Sequence, residues 1–441
     1  MKSIDTLLHG RWVIPLADNG NRQVLDNYAI AIVGEHIIDL LPSAQATSKY
    51  QPHTEKYYDD HVLMPGLINC HSHAAMNLFR GLADDLHLMD WLENHIWPAE
   101  ARFVNETFVQ HGVELAVAEM LRSGTTCFND MYFFPDITAR VAAEAGIRAC
   151  VGLIVIDFPT VWANNAEEYI DKGLAVRDYF KGHDLITTAF APHAPYTVSD
   201  KPLQKIAMLA SELDLAVHMH IHETVEEVSH AIETTGKRPL QRLDELNLLS
   251  PTLLAVHMTQ LNTAEIERLA VTGSTVVHCP ESNMKLASGI CPVSRLQQAG
   301  INMVLGTDSA SSNNDLDMFG EMRSAALLAK ISTHDATALP AYEVLKMATL
   351  NAARALGIDD MTGSLETGKS ADIIAVNFDT IETSPVYDPV SHLVYCCSRE
   401  QVTDVWVAGK QRLRDRCLTT LDENEIIQRA NTISQQIKLE R

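Results

Sequence analysis

Residues 63–81, LMPGLINCHSHAAMNLFRG, end an apolar run in two histidines spaced one apart. Residues 63–68 stay apolar despite Pro65 and Gly66, which reads as a buried strand whose end delivers His71 and His73 into a loop. Alternate residues of a strand share a face, so two imidazoles two positions apart can bite one metal ion. Alone, the pair reads as readily as two loop histidines with no common partner. The rest of the chain has to supply, or fail to supply, the remaining ligands.

Downstream, one grammar repeats: a short β-branched or apolar run, a polar residue at its end, then a longer helical pattern. Strands are predicted at 62–68, 125–130, 148–154, 185–191, 214–220, 253–257, 274–278 and 302–307. Between them lie helix patterns such as ETFVQHGVELAVAEMLRSG (106–124), apolar at three- and four-residue intervals and closed by Gly124. Strands alternating with helices imply a parallel sheet, and eight such units imply a closed (β/α)8 barrel of the TIM type. The flanks differ, with extended runs RWVIPL and NYAIAIVGEHIIDLL before the barrel and ADIIAV and VTDVWVA after it. The expected α/β architecture is a catalytic barrel over 62–364 beside a small β-sandwich built from both chain ends, 1–61 and 365–441. The last segment, DENEIIQRANTISQQIKLER, has the pattern of an amphipathic terminal helix.

Composition supports a large packed enzyme: 441 residues, 46% apolar and 21% charged. A net charge of −23 with no basic stripe argues against a nucleic-acid partner. No signal-peptide-like or membrane-spanning apolar run is visible, so a cytoplasmic protein without a membrane partner is expected. The eight cysteines, at 70, 127, 150, 279, 291, 396, 397 and 417, form no Cys-x-x-Cys pair and read as reduced core thiols.

In a TIM-type barrel the chemistry sits at the C-terminal ends of the strands. Those ends carry His71 and His73 (strand one), His193 in APHAPY (strand four), and His218, His220, His222 and Glu223 in HMHIHET (strand five). Strand six adds His257 in AVHMTQ and strand eight Asp308 in LGTDSASSNN. His71, His73, one strand-five histidine and Asp308 would offer three neutral nitrogens and a carboxylate to zinc or a similar divalent ion, such as iron or manganese. Each residue alone has an ordinary reading: His257 a buried strand-end histidine, Asp308 a cap in a Ser/Asn-rich loop, Glu223 an acid in a helix's first turn. The end of strand four has neither lysine nor acid to bridge a second ion, so one metal per chain is expected.

PGLINCHSH, HMHIHET, the lone His257, LGTDSASSNN and GSLETGKSADIIAV together resemble the amidohydrolase superfamily, in its mononuclear deaminase and chlorohydrolase branch. The match spans nearly the whole chain. RGLADDLHLMDWLENHIWPAE (80–100) is similar to the 5-methylthioadenosine/S-adenosylhomocysteine deaminases. The resemblance implies metal ligands His71, His73, His220 and Asp308, with His220 picked from its neighbours by the pattern His-x-x-Glu that it forms with Glu223. It implies hydrolytic removal of the 6-amino group of a purine nucleoside, with Glu223, His257 and Asp308 as catalytic groups. Glu100, His193 and Arg148 join Glu223 and Asp308 as expected substrate contacts: Glu100 for the ribose diol, Arg148 for the carboxylate of a homocysteine tail. The loop after strand three, VIDFPTVWANNAEEY, has no arginine, which leaves the homocysteine tail less well provided for than a thiomethyl group.

Rival readings differ in what they require. A sibling amidohydrolase acting on guanine, another aminated heterocycle or a chlorinated triazine would keep the metal and change the pocket. A zinc peptidase needs His-Glu-x-x-His, which HETVE lacks, and a nucleic-acid deaminase needs Pro-Cys-x-x-Cys, which is absent. A non-catalytic barrel would keep its histidines only for structure. Association into a homo-oligomer is expected for a barrel of this size.

Overall fold

Eight parallel strands follow one another around a barrel: Leu67–Ser72, Thr125–Tyr132, Arg148–Val155, Ile186–Pro192, Val217–Ile221, Leu253–His257, Thr275–His278 and Met303–Leu305. They are numbered here one to eight in that order, in a computed structural model that describes residues 1–17 and 22–440. Closure comes from the ends of the chain of strands, where Asp308 N–H donates to His71 O (3.0 Å) and Ser72 bridges Asp308. Gly306 permits that seam, since a Cβ there would meet His71 Cβ at 2.7 Å.

The helices form the outer layer for the reason their periodicity suggests. Glu106–Arg122 is capped by Asn105, whose side chain accepts from Phe108 N–H, and it buries Val109, Val113, Val117 and Met120 on the barrel side. It ends before Gly124, which adopts the left-handed conformation (φ +84°) that a helix terminus favours. The final helix, Glu423–Glu440, lies across it, tied by Arg429 Nη1 to Glu114 Oε2 at 2.8 Å.

Both chain ends build a second sheet in the order 417–418, 410–414, 402–407, 373–377, 50–65, 2–13, 25–33, 36–42. Strand Tyr50–Pro65 joins the two ends, pairing parallel to Lys2–Val13 and antiparallel to Ile373–Asn377. The expected sandwich is one continuous sheet turned back on itself: Gly368 N–H and Ala371 N–H donate to Ile37 O and Glu35 O, both at 2.8 Å. Leu8, Ile30, Leu63, Ile373 and Trp406 share the core so enclosed.

The opening stretch divides differently from the expectation. Residues 63–65 finish a strand of the small sheet, and the barrel begins only at Leu67. Between them Gly66 sits against strand two, where a Cβ would lie 2.1 Å from Thr126 Oγ1. Its N–H is donated to Asp372 O and that of Leu67 to Gly124 O. Apolar character runs unbroken through the break because both segments are buried, so hydropathy could not mark it. No helix among the described residues is long and apolar enough to cross a membrane.

Candidate active site

His71 and His73 leave the end of strand one, His220 leaves strand five, and Asp308 follows strand eight. Their donor atoms converge at the barrel mouth, all within 4.8 Å of one another. His220 Nε2 lies 3.2 Å from His71 Nε2 and 3.3 Å from His73 Nε2, and Asp308 Oδ1 lies 3.2 and 3.3 Å from the same two nitrogens. A tetrahedron with bonds of 2.0–2.1 Å has edges of about 3.3–3.4 Å, which these four separations match, so the cluster could hold one zinc-sized ion. Burial lowers the His71 pKa to about 4 and that of His220 well below the ordinary value, which leaves both as neutral donors. Burial alone would raise Asp308, but hydrogen bonds from His71 and His73 outweigh it and hold the carboxyl well below its usual range.

Each ligand is aimed by a further contact. His73 Nδ1 meets Met131 O at 2.5 Å and His220 Nδ1 meets His193 O at 2.8 Å, so both Nε2 atoms turn inward. His71 Nδ1 lies 2.8 Å from His218 Nε2. Ser282 and Ser312 hydroxyls donate to Asp308 Oδ2 (2.6 and 3.0 Å) and turn Oδ1 to the histidines. Asp130 at the end of strand two steadies the loop between, accepting from Ala74 N–H at 2.7 Å. His222 points away, its Nε2 accepting from Leu240 N–H at 3.1 Å.

Beside the cluster, Glu223 Oε2 approaches His257 Nε2 at 3.7 Å, and His257 Nδ1 is held by Asn283 Oδ1 at 2.9 Å. Burial raises the Glu223 pKa. The helix after Glu223 is capped by other residues: Thr224 accepts from Glu227 N–H, while the Glu227 carboxylate accepts from His222 N–H and Glu223 N–H. Glu223 is therefore free of capping duty and faces the cavity. His257 (φ +72°) and Asp308 (φ +61°) both hold left-handed backbone, strain of the kind that gathers at functional sites.

The cluster floors a cavity of about 500 Å³ with largely apolar walls, among them Leu88, Trp91, Ile96, Trp97 and Phe158. Glu100 and His193 also line it. Tyr132 Oη donates to Glu100 Oε1 at 2.7 Å, yet burial dominates and lifts that carboxyl to about 7. Burial lowers His193 to about 3, and its Nδ1 meets Thr197 Oγ1 at 3.0 Å.

A profile of the amidohydrolase family matches residues 62–412. The chain belongs to the amidohydrolase family. A 5-methylthioadenosine/S-adenosylhomocysteine deaminase of Saccharophagus degradans is 50% identical over 428 residues, covering 97% of this chain and 95% of that one. Another so named, from Teredinibacter turnerae, is 48% identical over 424 residues and covers 96% of each. Among solved structures, an adenosine deaminase from Xanthomonas campestris with bound zinc superposes with a TM-score of 0.98 at 48% identity, covering 99% of both chains. This amidohydrolase thus holds a divalent metal.

One expected site residue lies elsewhere. Arg148 heads strand three at the N-terminal end of the barrel, where Nε meets Asp372 Oδ2 at 2.6 Å and Nη2 donates to Ser370 Oγ at 2.7 Å. Nη1 donates to Asp184 O at 2.8 Å. It ties the barrel floor to the small sheet and touches no part of the cavity, which corrects the expectation of a substrate contact.

Other residues of the amidohydrolase site went unread in the sequence. Ser282 and Asn283 follow strand seven in HCPESN, a strand end as open to inspection as the others. Tyr132 closes strand two, and only its contact with Glu100 distinguishes it from a core tyrosine.

Proposed function

We propose that this amidohydrolase removes the 6-amino group of a 5′-substituted adenosine nucleoside by hydrolysis, giving the inosine analogue and ammonia, with one zinc ion held by His71, His73, His220 and Asp308. The observation that carries the reading is a buried carboxyl of raised pKa, Glu223, set beside a four-ligand cluster inside one apolar cavity. The identity of nearly half to deaminases of methylthioadenosine and S-adenosylhomocysteine supports the nucleoside class.

The ion supplies Lewis acidity that lets water act as a nucleophile near neutral pH. His257, fixed through Nδ1 by Asn283, presents Nε2 to orient the attacking water. Asp308 accepts the proton that water gives up. Attack at C6 costs the ring its aromaticity, and Glu223, whose pKa burial raises, offsets this by giving a proton to the adjacent ring nitrogen. The proton held by Asp308 then passes to the departing amine, which leaves as ammonia, and the proton remaining on the C6 hydroxyl returns to Glu223 as the 6-oxo group forms. In the same cavity, Glu100 accepts hydrogen bonds from the ribose hydroxyls, and His193 offers Nε2 to a purine or sugar atom.

Ammonia release and the change in purine absorbance from methylthioadenosine, S-adenosylhomocysteine and adenosine, with zinc-replete protein, test the reading. Turnover of at least one is expected; silence on all three would send the search to other aminated or halogenated heterocycles.

A further inference from the structure

Among the described residues, the acids and imidazoles that line the cavity are Glu100, Glu223, Asp308 and four histidines, and no lysine or arginine lines it. Basic residues close to its rim are engaged elsewhere. Lys172 Nζ pairs with Glu168 Oε1 at 2.8 Å beside the Trp162 ring, and Lys285 Nζ pairs with Asp84 Oδ1 at 2.7 Å. Arg148 lies under the barrel, paired with Asp372.

The position of Glu100 says which wall a 5′ substituent meets. Trp97, Glu100 and Ala101 sit three and four residues apart on one helix, Trp97–Phe103, and all three face the cavity. The wall nearest a ribose bonded to Glu100 is therefore Trp97 and the facing loop after strand three, and we take the 5′ substituent to meet it. That loop presents Phe158, Pro159 and Val161, with the Phe158 ring 6.4 Å from that of Trp97. Phe158 and Val161 are 43% and 42% exposed, apolar surface that an apolar group would cover.

Resting on the deaminase reading above, we propose that the cavity selects adenosine nucleosides with an uncharged, apolar 5′ thioalkyl group and discriminates by charge against the amino-acid tail of S-adenosylhomocysteine. A thioether lying against these aromatic rings gains dispersion and sulfur–aromatic contact. A carboxylate brought to the same wall loses water and finds no lysine or arginine to replace it, which is unfavourable. Size is no obstacle, because about 500 Å³ is ample for a nucleoside with a short chain.

The test compares kcat/KM for methylthioadenosine, 5′-butylthioadenosine and S-adenosylhomocysteine on the zinc-loaded full chain. The butyl compound reproduces the length of the homocysteine tail without its charges. Expected are values within about fivefold for the two neutral thioethers and a loss of about thirtyfold or more for S-adenosylhomocysteine, the scale of an unpartnered buried polar group. Equal rates on all three would overturn the proposal. Equal losses for the butyl and homocysteine compounds would overturn it too, by showing that length is what the wall senses. Silence on all three would instead refute the deaminase reading on which it rests. In Phe158→Arg the ratio of homocysteine to butyl rates should rise about fivefold; an unchanged ratio would show that this wall does not meet the tail.

Discussion

Replacing Arg148 by methionine separates a substrate-binding arginine from one that joins two sheets. The side chain is 6% exposed and its partner Asp372 0%. Breaking a buried ion pair by removing one partner costs about 3–5 kcal/mol, because the other charge stays buried and unpaired. Asp372 keeps two donors in the variant, Ala408 N–H at 2.7 Å and Ser370 Oγ at 3.0 Å, which places the loss at the lower end, about 3 kcal/mol. An unfolding entropy of about 2.1 cal/mol/K per residue over 441 residues makes that a drop in thermal midpoint of about 3 °C. The site should be indifferent, since Arg148 and cavity-lining Ile154 are six residues apart on one strand, about 20 Å.

The assay is a thermal melt alongside kcat/KM for methylthioadenosine at 25 °C. The expected result is a lowered midpoint with kcat/KM within about twofold of the parent. Adding Asp372→Asn should recover most of the midpoint, because removing both charges removes the unpaired one. A tenfold rise in KM with an unchanged midpoint would refute the assignment and return Arg148 to the substrate.

Glu223→Gln keeps the shape of the side chain but has no acidic proton; kcat should fall about 10²–10⁴-fold with metal content unchanged by elemental analysis, and retention of a tenth of kcat would sink its role. Chelation should abolish turnover and one equivalent of zinc restore it, whereas two tightly bound ions per chain would contradict the single four-ligand cluster. His218→Phe removes the partner of His71 Nδ1; zinc affinity measured by chelator competition should drop about 10–100-fold, and an unchanged affinity would make His218 mere filling. Glu100 has a folded pKa of about 7, above its ordinary value of 4.5, so ionising it costs stability progressively as pH rises through that window. Glu100→Gln should therefore raise the thermal midpoint at pH 8, with the gain fading toward pH 5, while kcat/KM for ribonucleosides falls; a gain as large at pH 5 would refute the burial of that charge.

The metal cluster was legible because its ligands obey local rules. His71 and His73 are alternate residues at a strand end and Asp308 closes the last strand of a counted series, so these three are placed without any contact across the barrel. His220 is told from His218 and His222 only by the His-x-x-Glu pattern that the family resemblance supplies. The break at Gly66 was not legible, since both the strand before it and the strand after it are buried, and nothing in hydropathy separates two buried strands of different sheets. Tyr132 required its contact with Glu100, and its residue type does not betray it.

Arg148 is the most instructive case, because position alone was enough to correct it. It is the first residue of strand three, and in a barrel of parallel strands every first residue lies on the face away from the chemistry. Residue type suggested a carboxylate partner, and rightly so, but that partner is Asp372 of the chain itself, not a substrate. Direction along the strand therefore outranks residue type when a barrel is read. By the same rule, the polar residues just after strand seven, Ser282 and Asn283, belong beside Asp308 and His257, where the structure has them.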